Sequence, residues 1–277
     1  AIQELRQEHD LEILLKKTGM ARATYYYHTK RLQEPDENED IRQSIRRIYE
    51  THKGRYGYRR VTAQLRSDGI TINHKKVQKL MVEMKLHGKR KKVRYKSYKG
   101  EVGKIAPNII DRDFVAAAPN QKWTTDVTEV KIKDKKIYLS PILDMFNGEI
   151  ISYSISYSPN QHMVMTMLDK AFKKTPILAG LVLHSDQGIH YQHHRYQKAL
   201  KDKDIIQSMS RKGNCLDNAM MENFFGLMKS ELLYLQEWDS VEQFKKELIR
   251  YIHYYNNDRI KLRLNGKSPV QYRALFQ

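Results

Sequence analysis

The sequence predicts an α/β protein: a mixed β-sheet with helices on its faces, preceded by helical units and followed by C-terminal helices. Three observations predict this. Apolar residues recur at spacings of three and four through the first 88 residues. From 122 to 157 the text becomes rich in β-branched and aromatic residues, in three runs parted by short polar breaks. Helix and strand then alternate to about 209, and the reading turns helical again from Asp217.

Taken in order, residues 1–34 read as helix, glycine turn, helix. Leu11, Ile13, Leu14 and Leu15 precede Thr18-Gly19, and Ala23 to Tyr27 follow, the pattern of a helix-turn-helix. The acidic, proline-bearing stretch Glu34 to Asn38 ends it. A second helical unit occupies 38–88. Ile41, Ile45 and Ile48 mark one helix, Tyr58 to Leu65 a second, and Asn73 reads as the N-cap of a third carrying Val77, Leu80, Met81 and Met84. These three helices suit an ordinary bundle or a DNA-binding unit equally.

Residues 89–112 form a basic linker. Lys89, Arg90, Lys91, Lys92, Arg94, Lys96 and Lys99 are interleaved with Tyr95 and Tyr98, and Glu101 opposes them. A charge run is often a solvated linker, but cations alternating with tyrosines favour a strap that tracks phosphates.

Strands are expected over Lys122 to Ile132, Ile137 to Phe146 and Glu149 to Tyr157. The breaks fall at Lys133-Asp134-Lys135 and Asn147-Gly148, the second a strong hairpin signal. A helix over Gln161 to Lys174, a strand at Gly180 to Leu183, a helix over Tyr191 to Lys201 and a strand at Ile205 to Met209 complete the sheet. The core is placed at 113–235 and a C-terminal helical segment at 236–277, broken at Gly266 to Pro269.

Composition bounds the function classes. In 277 residues, 50 Lys and Arg oppose 32 Asp and Glu, a net charge of +18 that points to a polyanionic partner. Cys215 is the single cysteine, so neither an internal disulfide nor a cysteine-cluster zinc site can form, and a reducing, cytoplasmic setting fits. No apolar run is long enough to span a bilayer. The chain begins at Ala1, as a processed product or a piece of a longer polypeptide would. The absence of a Walker-type glycine loop argues against an ATPase.

Three acids stand out by position. Asp126 lies within a strand run, Trp123 to Thr128. Asp186 directly follows the fourth strand, in Leu183 to Gly188, and Glu222 sits among apolar residues of an amphipathic helix. Singly, each has a plain explanation: a solvent-facing strand residue, a helix cap, a surface helix residue. Together, adjacent first and fourth strands and a flanking helix could bring them to one point. Three converging carboxylates need a counter-charge, which hard divalent cations with oxygen ligands supply. Two such ions could hold the attacking and leaving oxygens of an in-line phosphoryl displacement, and Mg²⁺ suits that task.

In these residues the sequence resembles the retroviral-integrase-like transposases that use two aspartates and a glutamate, specifically the second-frame proteins of the bacterial insertion sequences of the "IS three" family. Thirty-five residues separate Asp186 from Glu222, the family spacing, and a tryptophan stands three residues before Asp126. The His184 to Gly188 box, the run Arg211 to Ala219, the stretch His52 to Arg60 and the terminal Tyr254 to Arg259 also match. The resemblance implies an RNase H-like integrase catalytic core. Asp126, Asp186 and Glu222 would be its catalytic and metal-binding residues, with two Mg²⁺ ions as cofactor and Mn²⁺ as a substitute. It implies donor-strand cleavage and strand transfer on double-stranded DNA, namely transposon terminal inverted repeats and target DNA, through a circular intermediate. It further implies a homodimer or higher oligomer on paired ends, no membrane partner, and an active form made as a frameshift fusion with an upstream DNA-binding frame. Lys229 and Asn218, seven residues after and four before Glu222, fall where the family carries DNA contacts, and Arg211 and Lys212 join Lys89, Arg90, Lys91, Lys92 and Arg94 as expected DNA-binding residues. Unlike retroviral integrases, the chain has no His-His-Cys-Cys zinc unit, so its helical N-terminal half would recognise the ends.

Other readings compete. His184, His190, His193 and His194 crowd around Asp186 and could ligate zinc or iron, though histidines near a DNA channel more often donate to phosphate. Trp238, Tyr251, Tyr254 and Tyr255 read as packing aromatics rather than base-stacking platforms, and Cys215 has no readable relay. A non-catalytic DNA-binding protein and a simple RNase H-type nuclease are the rival classes.

Overall fold

The structure is a computed structural model that describes residues 2–33, 36–89, 105–211 and 215–276. Three short helices open the chain, α1 (Ile2–Leu5), α2 (Leu11–Thr18) and α3 (Arg22–Gln33). The Asp10 carboxylate caps α2, and Gly19 in the left-handed region (φ 66°) ends it, which leaves a tight turn into α3. Leu11, Leu15 and Tyr25 form their small core. Ile13 points to solvent, 60% exposed, because the apolar stripe of α2 runs through Leu11, Leu14 and Leu15.

The second unit is α4 (Glu39–Thr51), α5 (Tyr58–Ser67) and α6 (His74–Glu83), with the expected Asn73 cap accepting from the Lys75 amide. Ile45, Ile48, Val61, Leu65, Val77, Leu80 and Met81 pack into one core, and Ile260 from the far end of the chain joins them.

The sheet holds β1 (Lys122–Thr125), β2 (Thr128–Ile132), β3 (Lys135–Asp144), β4 (Ile150–Ser156), β5 (Val182–Ser185) and β6 (Ile206–Met209). Between them stand α7 (Gln161–Lys174), α8 (Ile189–Gln192) and α9 (His194–Lys201). The run expected as one strand over Lys122 to Ile132 is therefore two, parted at Asp126-Val127. Both pair antiparallel with one side of β3, and β4 pairs with its other side. β1 pairs parallel with β5, and β5 with β6, which gives the mixed sheet of an RNase H-like core. The expected helix over Tyr191 to Lys201 is also two pieces, because His193 turns out of the helix and its ring caps α9 by accepting from the Arg195 amide.

A 3₁₀ turn (Cys215–Asn218) leads into α10 (Ala219–Met228), which runs straight into a π turn (Lys229–Leu233). α11 (Val241–Asn257) and α12 (Pro269–Arg273) follow, the latter opened by a Ser268 capping box. One sheet face buries Val130, Leu139, Leu143 and Ile150 against Met221, Phe224 and Phe225 of α10 and Phe244 and Leu248 of α11. The other buries Trp123, Ile142 and Leu183 against Val164, Met167 and Leu168 of α7 and Tyr196 and Leu200 of α9. Trp238, Tyr251 and Tyr255 are core residues, as expected. Among the described residues no helix is long and apolar enough to cross a membrane.

Candidate active site

β1 and β5 run side by side in parallel, with Trp123 opposite Leu183 and Thr124 opposite His184. Two residues further along that register stand Asp126 and Asp186, just past the carboxyl ends of neighbouring strands, where such sheets present reactive groups. Asp126 occupies the gap between β1 and β2, and the Val127 amide donates to its Oδ1 at 2.7 Å. The Gly188 amide donates to Asp186 Oδ1 at 2.9 Å, and a Cβ on residue 188 would stand 2.9 Å from that oxygen, so a side chain there would push the carboxylate from its place.

Glu222 lies in the first turn of α10. The start of that helix is tied to β1: Thr124 Oγ1 donates to Asn218 Oδ1 at 2.6 Å, and Asn218 Nδ2 donates to the Thr125 carbonyl at 3.4 Å. Both ends of the Asn218 side chain are thus engaged inside the protein, rather than turned outward as its expected DNA contact requires. It precedes α10 in a 3₁₀ turn, so helical spacing from Glu222 does not set its direction.

The electrostatics link the acids. Burial raises Asp126 well above the usual carboxylate range, the charges of Asp186 and Glu222 push the same way, and the Val127 amide and Lys229 oppose them. Burial also raises Asp186, against the Gly188 amide and the nearby His190, and it raises Glu222. Lys229, half-buried in the π turn, is lowered by burial and held up by Asp126. All three carboxylates keep partial access to solvent. Behind them lies the fully buried Tyr191, raised by burial and then by the charges of Asp126 and Asp186.

The acids feel one another's charge, yet among the described residues no group of three or more His, Cys, Asp or Glu is gathered closely enough to hold a metal ion. The histidines serve separate ends: His193 and His194 stack on each other at 4.4 Å, and His190 lies near Asp186. His184 is buried, shares a 2.9 Å hydrogen bond with Ser208 and is lowered to about 4 by burial, while His193 serves as a cap.

Of the expected DNA-binding residues, Arg90, Lys91, Lys92, Arg94 and Lys212 lie outside the described residues. Lys89 is exposed and anchored through its amide to the Gly54 carbonyl. Arg211 is 51% exposed, and its guanidinium is gripped by Asp217 at 2.9 Å and by Asp111 at 3.2 Å. Asp217, which the sequence reading passed over, is buried and also accepts from Arg112 and Asn108, and the Arg211 bond leads in holding it far below the usual range. Its signal was faint: an acid beside Asn218, six residues from a cation.

Comparisons with known proteins agree with this architecture. Residues 116–215 and 222–275 match models described as integrase core domains, and 35–94 match an HTH-like domain. The InsK protein of insertion sequence element IS150 from Escherichia coli (strain K12) is 52% identical over 272 residues, covering 98% of this chain and 96% of that protein. The transposase InsF of insertion sequence IS3A from the same strain is 28% identical, covering 98% and 96%. Among solved structures, the HTLV-2 integrase catalytic core domain in complex with magnesium matches 57% of this chain and 98% of its own, at 21% identity and a TM-score of 0.46. With such identity along nearly its whole length, and with helical and integrase-core parts in the same order, the chain belongs to the insertion-sequence transposases of the "IS three" family.

Proposed function

We propose that the protein catalyses metal-dependent donor-strand cleavage and strand transfer at the ends of an insertion sequence, with Asp126, Asp186 and Glu222 as its catalytic carboxylates. The observation that carries this is the register of β1 with β5, which sets two aspartates at neighbouring strand ends, while Asn218 ties the helix of Glu222 to the same strand. The donor set fits a hard cation. It consists of carboxylate oxygens, and each is pushed up by burial, Asp126 by like charge as well, a state that a divalent cation relieves. Drawing them to coordination distance is then work for the cation and the DNA. These three residues would hold two Mg²⁺ ions, or Mn²⁺ in their place, which supply charge for the attacking and leaving oxygens of an in-line displacement.

In the first step a water oxygen bonds to phosphorus at the element's end and the bond from phosphorus to the 3′ oxygen breaks, freeing a 3′-hydroxyl. That hydroxyl then attacks a second phosphodiester, whose own 3′ oxygen leaves. Lys229, beside Asp126, is suited to hold a phosphate against the carboxylates. Lys89, Arg90, Lys91, Lys92, Arg94, Arg211 and Lys212 would track the DNA backbone, and Asn218 would position the catalytic helix. The partners are terminal repeats and target DNA in the cytoplasm, engaged by a dimer or larger assembly.

The test uses labelled duplexes copied from the ends of the encoding element, incubated with Mg²⁺ or with EDTA. Wild type should cleave and join strands in Mg²⁺ alone, while Glu222→Gln binds the duplex equally and joins none. A fully active Glu222→Gln protein would overturn the assignment, and wild-type binding without any joining would leave a DNA-binding protein instead.

A further inference from the structure

Two stretches matched the family pattern without acquiring a role: 52–60, in the second helical unit, and 254–259, at the end of α11. The structure brings them together. Tyr56 donates its hydroxyl to the Asp258 carbonyl at 3.0 Å and accepts from the Ile260 amide at 2.9 Å. His52 stacks on Tyr56 at 3.7 Å and shares a hydrogen bond with the Tyr254 hydroxyl at 3.2 Å. At the centre of this contact lies an acid from a third element, Glu231 of the π turn. Arg259 binds it through two N–H bonds, at 2.8 and 2.6 Å, and Tyr251 donates at 3.1 Å. From the helical unit Arg60 approaches the same carboxylate at 3.7 Å, and Arg55 Nε donates to the Glu231 carbonyl at 3.0 Å while its guanidinium lies over Tyr254.

Glu231 stands two residues beyond Lys229 in a turn continuous with α10, and α10 carries Glu222. Successive helical residues rotate by about 100°, so residues two apart face nearly opposite ways. Lys229 accordingly serves Asp126 on one side, and Glu231 serves the cluster on the other. π turns inside helices recur at functional sites. We infer that Glu231, its carboxylate faced by Arg60 and its carbonyl bonded by Arg55 of the second helical unit, is a positioning residue that sets the register of the segment carrying Glu222 and Lys229, so that seating of the DNA-binding unit is coupled to assembly of the catalytic carboxylates. The catalytic half of this inference rests on the proposed function.

Arg60→Met tests it without breaking the fold. Arg60 is 25% exposed, and burial and the charge of Arg259 work against it, while Glu231 keeps Arg259 and Tyr251. Two measurements follow on the full chain, with Arg60→Lys as the conservative rescue. Amide hydrogen exchange over 219–233 should accelerate roughly tenfold in Arg60→Met, with the exchange of α7 unchanged. Strand transfer should fall about tenfold, and the Mg²⁺ concentration for half-maximal rate should rise, at unaltered affinity for end DNA. Arg60→Lys should restore most of both. Unchanged exchange over 219–233 overturns the coupling. Binding and transfer that fall in step overturn positioning, because the contact then merely retains the DNA-binding unit. If wild type joins no strands, the proposed function fails, and the exchange measurement still decides the coupling by itself.

Discussion

The pair Glu231 and Arg259 offers the sharpest stability test, because its two charges are among the most deeply buried in the structure. Glu231 is 6% exposed and Arg259 2%. Burial works against both charges, and pairing overcomes it on each, leaving Glu231 below its ordinary range and Arg259 above. Arg259→Met removes two charge-assisted bonds and leaves a carboxylate facing Arg60 at 3.7 Å and the Tyr251 hydroxyl. Breaking one side of a buried pair costs about 3–5 kcal/mol, because the surviving charge stays desolvated. For a protein of this size that is a fall in Tm of roughly 5–9 °C. Replacing both members behaves differently. Arg259→Met with Glu231→Leu removes both of the more deeply buried charges and leaves Arg60, 25% exposed, bonded to the Arg55 carbonyl. The double variant should therefore be more stable than either single one, recovering about 2 kcal/mol or more. Urea unfolding of the wild type, the two single variants and the double one, compared at equal m-values, measures the coupling. Additive losses would refute the reasoning, since they would mean that the cost is lost packing rather than an unpaired charge.

Two further outcomes are expected. Asp126→Asn should abolish strand transfer yet stabilise the metal-free protein by about 1 kcal/mol near neutral pH, since it removes a charge that burial and Asp186 oppose. The sign follows from linkage: a carboxyl raised in the folded state binds its proton more tightly there than when unfolded, so the penalty is present above the folded pKa and disappears as pH falls toward the ordinary value of 3.8. The Tm advantage of Asp126→Asn in EDTA should shrink on acidification, and a constant advantage from neutral to acid pH would count against the charge explanation. Lys91→Glu with Lys92→Glu should weaken binding to every DNA sequence and flatten its salt dependence by up to about 2 in log–log slope; an unchanged slope by fluorescence anisotropy would remove the phosphate-tracking strap.

What the sequence disclosed and what it hid divide along physical lines. Local signals carried well, the Asn73 and Gly19 ends of helices and the full span of α7, and the expected adjacency of the strands of Asp126 and Asp186 is present. The split between β1 and β2 did not show, because the β-branched residues Thr124, Thr125, Val127 and Thr128 flank Asp126 on both sides. The break goes with a single local bond, the Asp126 carboxylate accepting from its own neighbour's amide. Asn218 was read outward because helical spacing was carried back from Glu222 into what is a 3₁₀ turn. Glu231 gave no signal, and Arg259 stood in a matched run with no partner indicated, since 28 residues part them and no periodicity links a π turn to the end of another helix. Partners made by tertiary contact leave no spacing in the text.

That distinction bears on how such a site is held. Asp126 is opposed by the charges of Asp186 and Glu222, and burial opposes all three, so the fold carries them against a free-energy cost. Hydrogen bonds that bring in no further charge hold them: Asn218 ties the start of α10 to β1, and the Gly188 amide fixes Asp186 within its own turn. The compensating charges lie one step outward: Arg211 and Arg112 on Asp217 ahead of α10, Arg259 and Arg60 on Glu231 beyond Lys229. Each outer cluster clamps one end of the segment that carries Glu222, so the segment can be rigid while its carboxylate remains unpaired. A guanidinium on Glu222 itself would steady the helix equally well, but it would occupy the oxygens that a divalent cation needs.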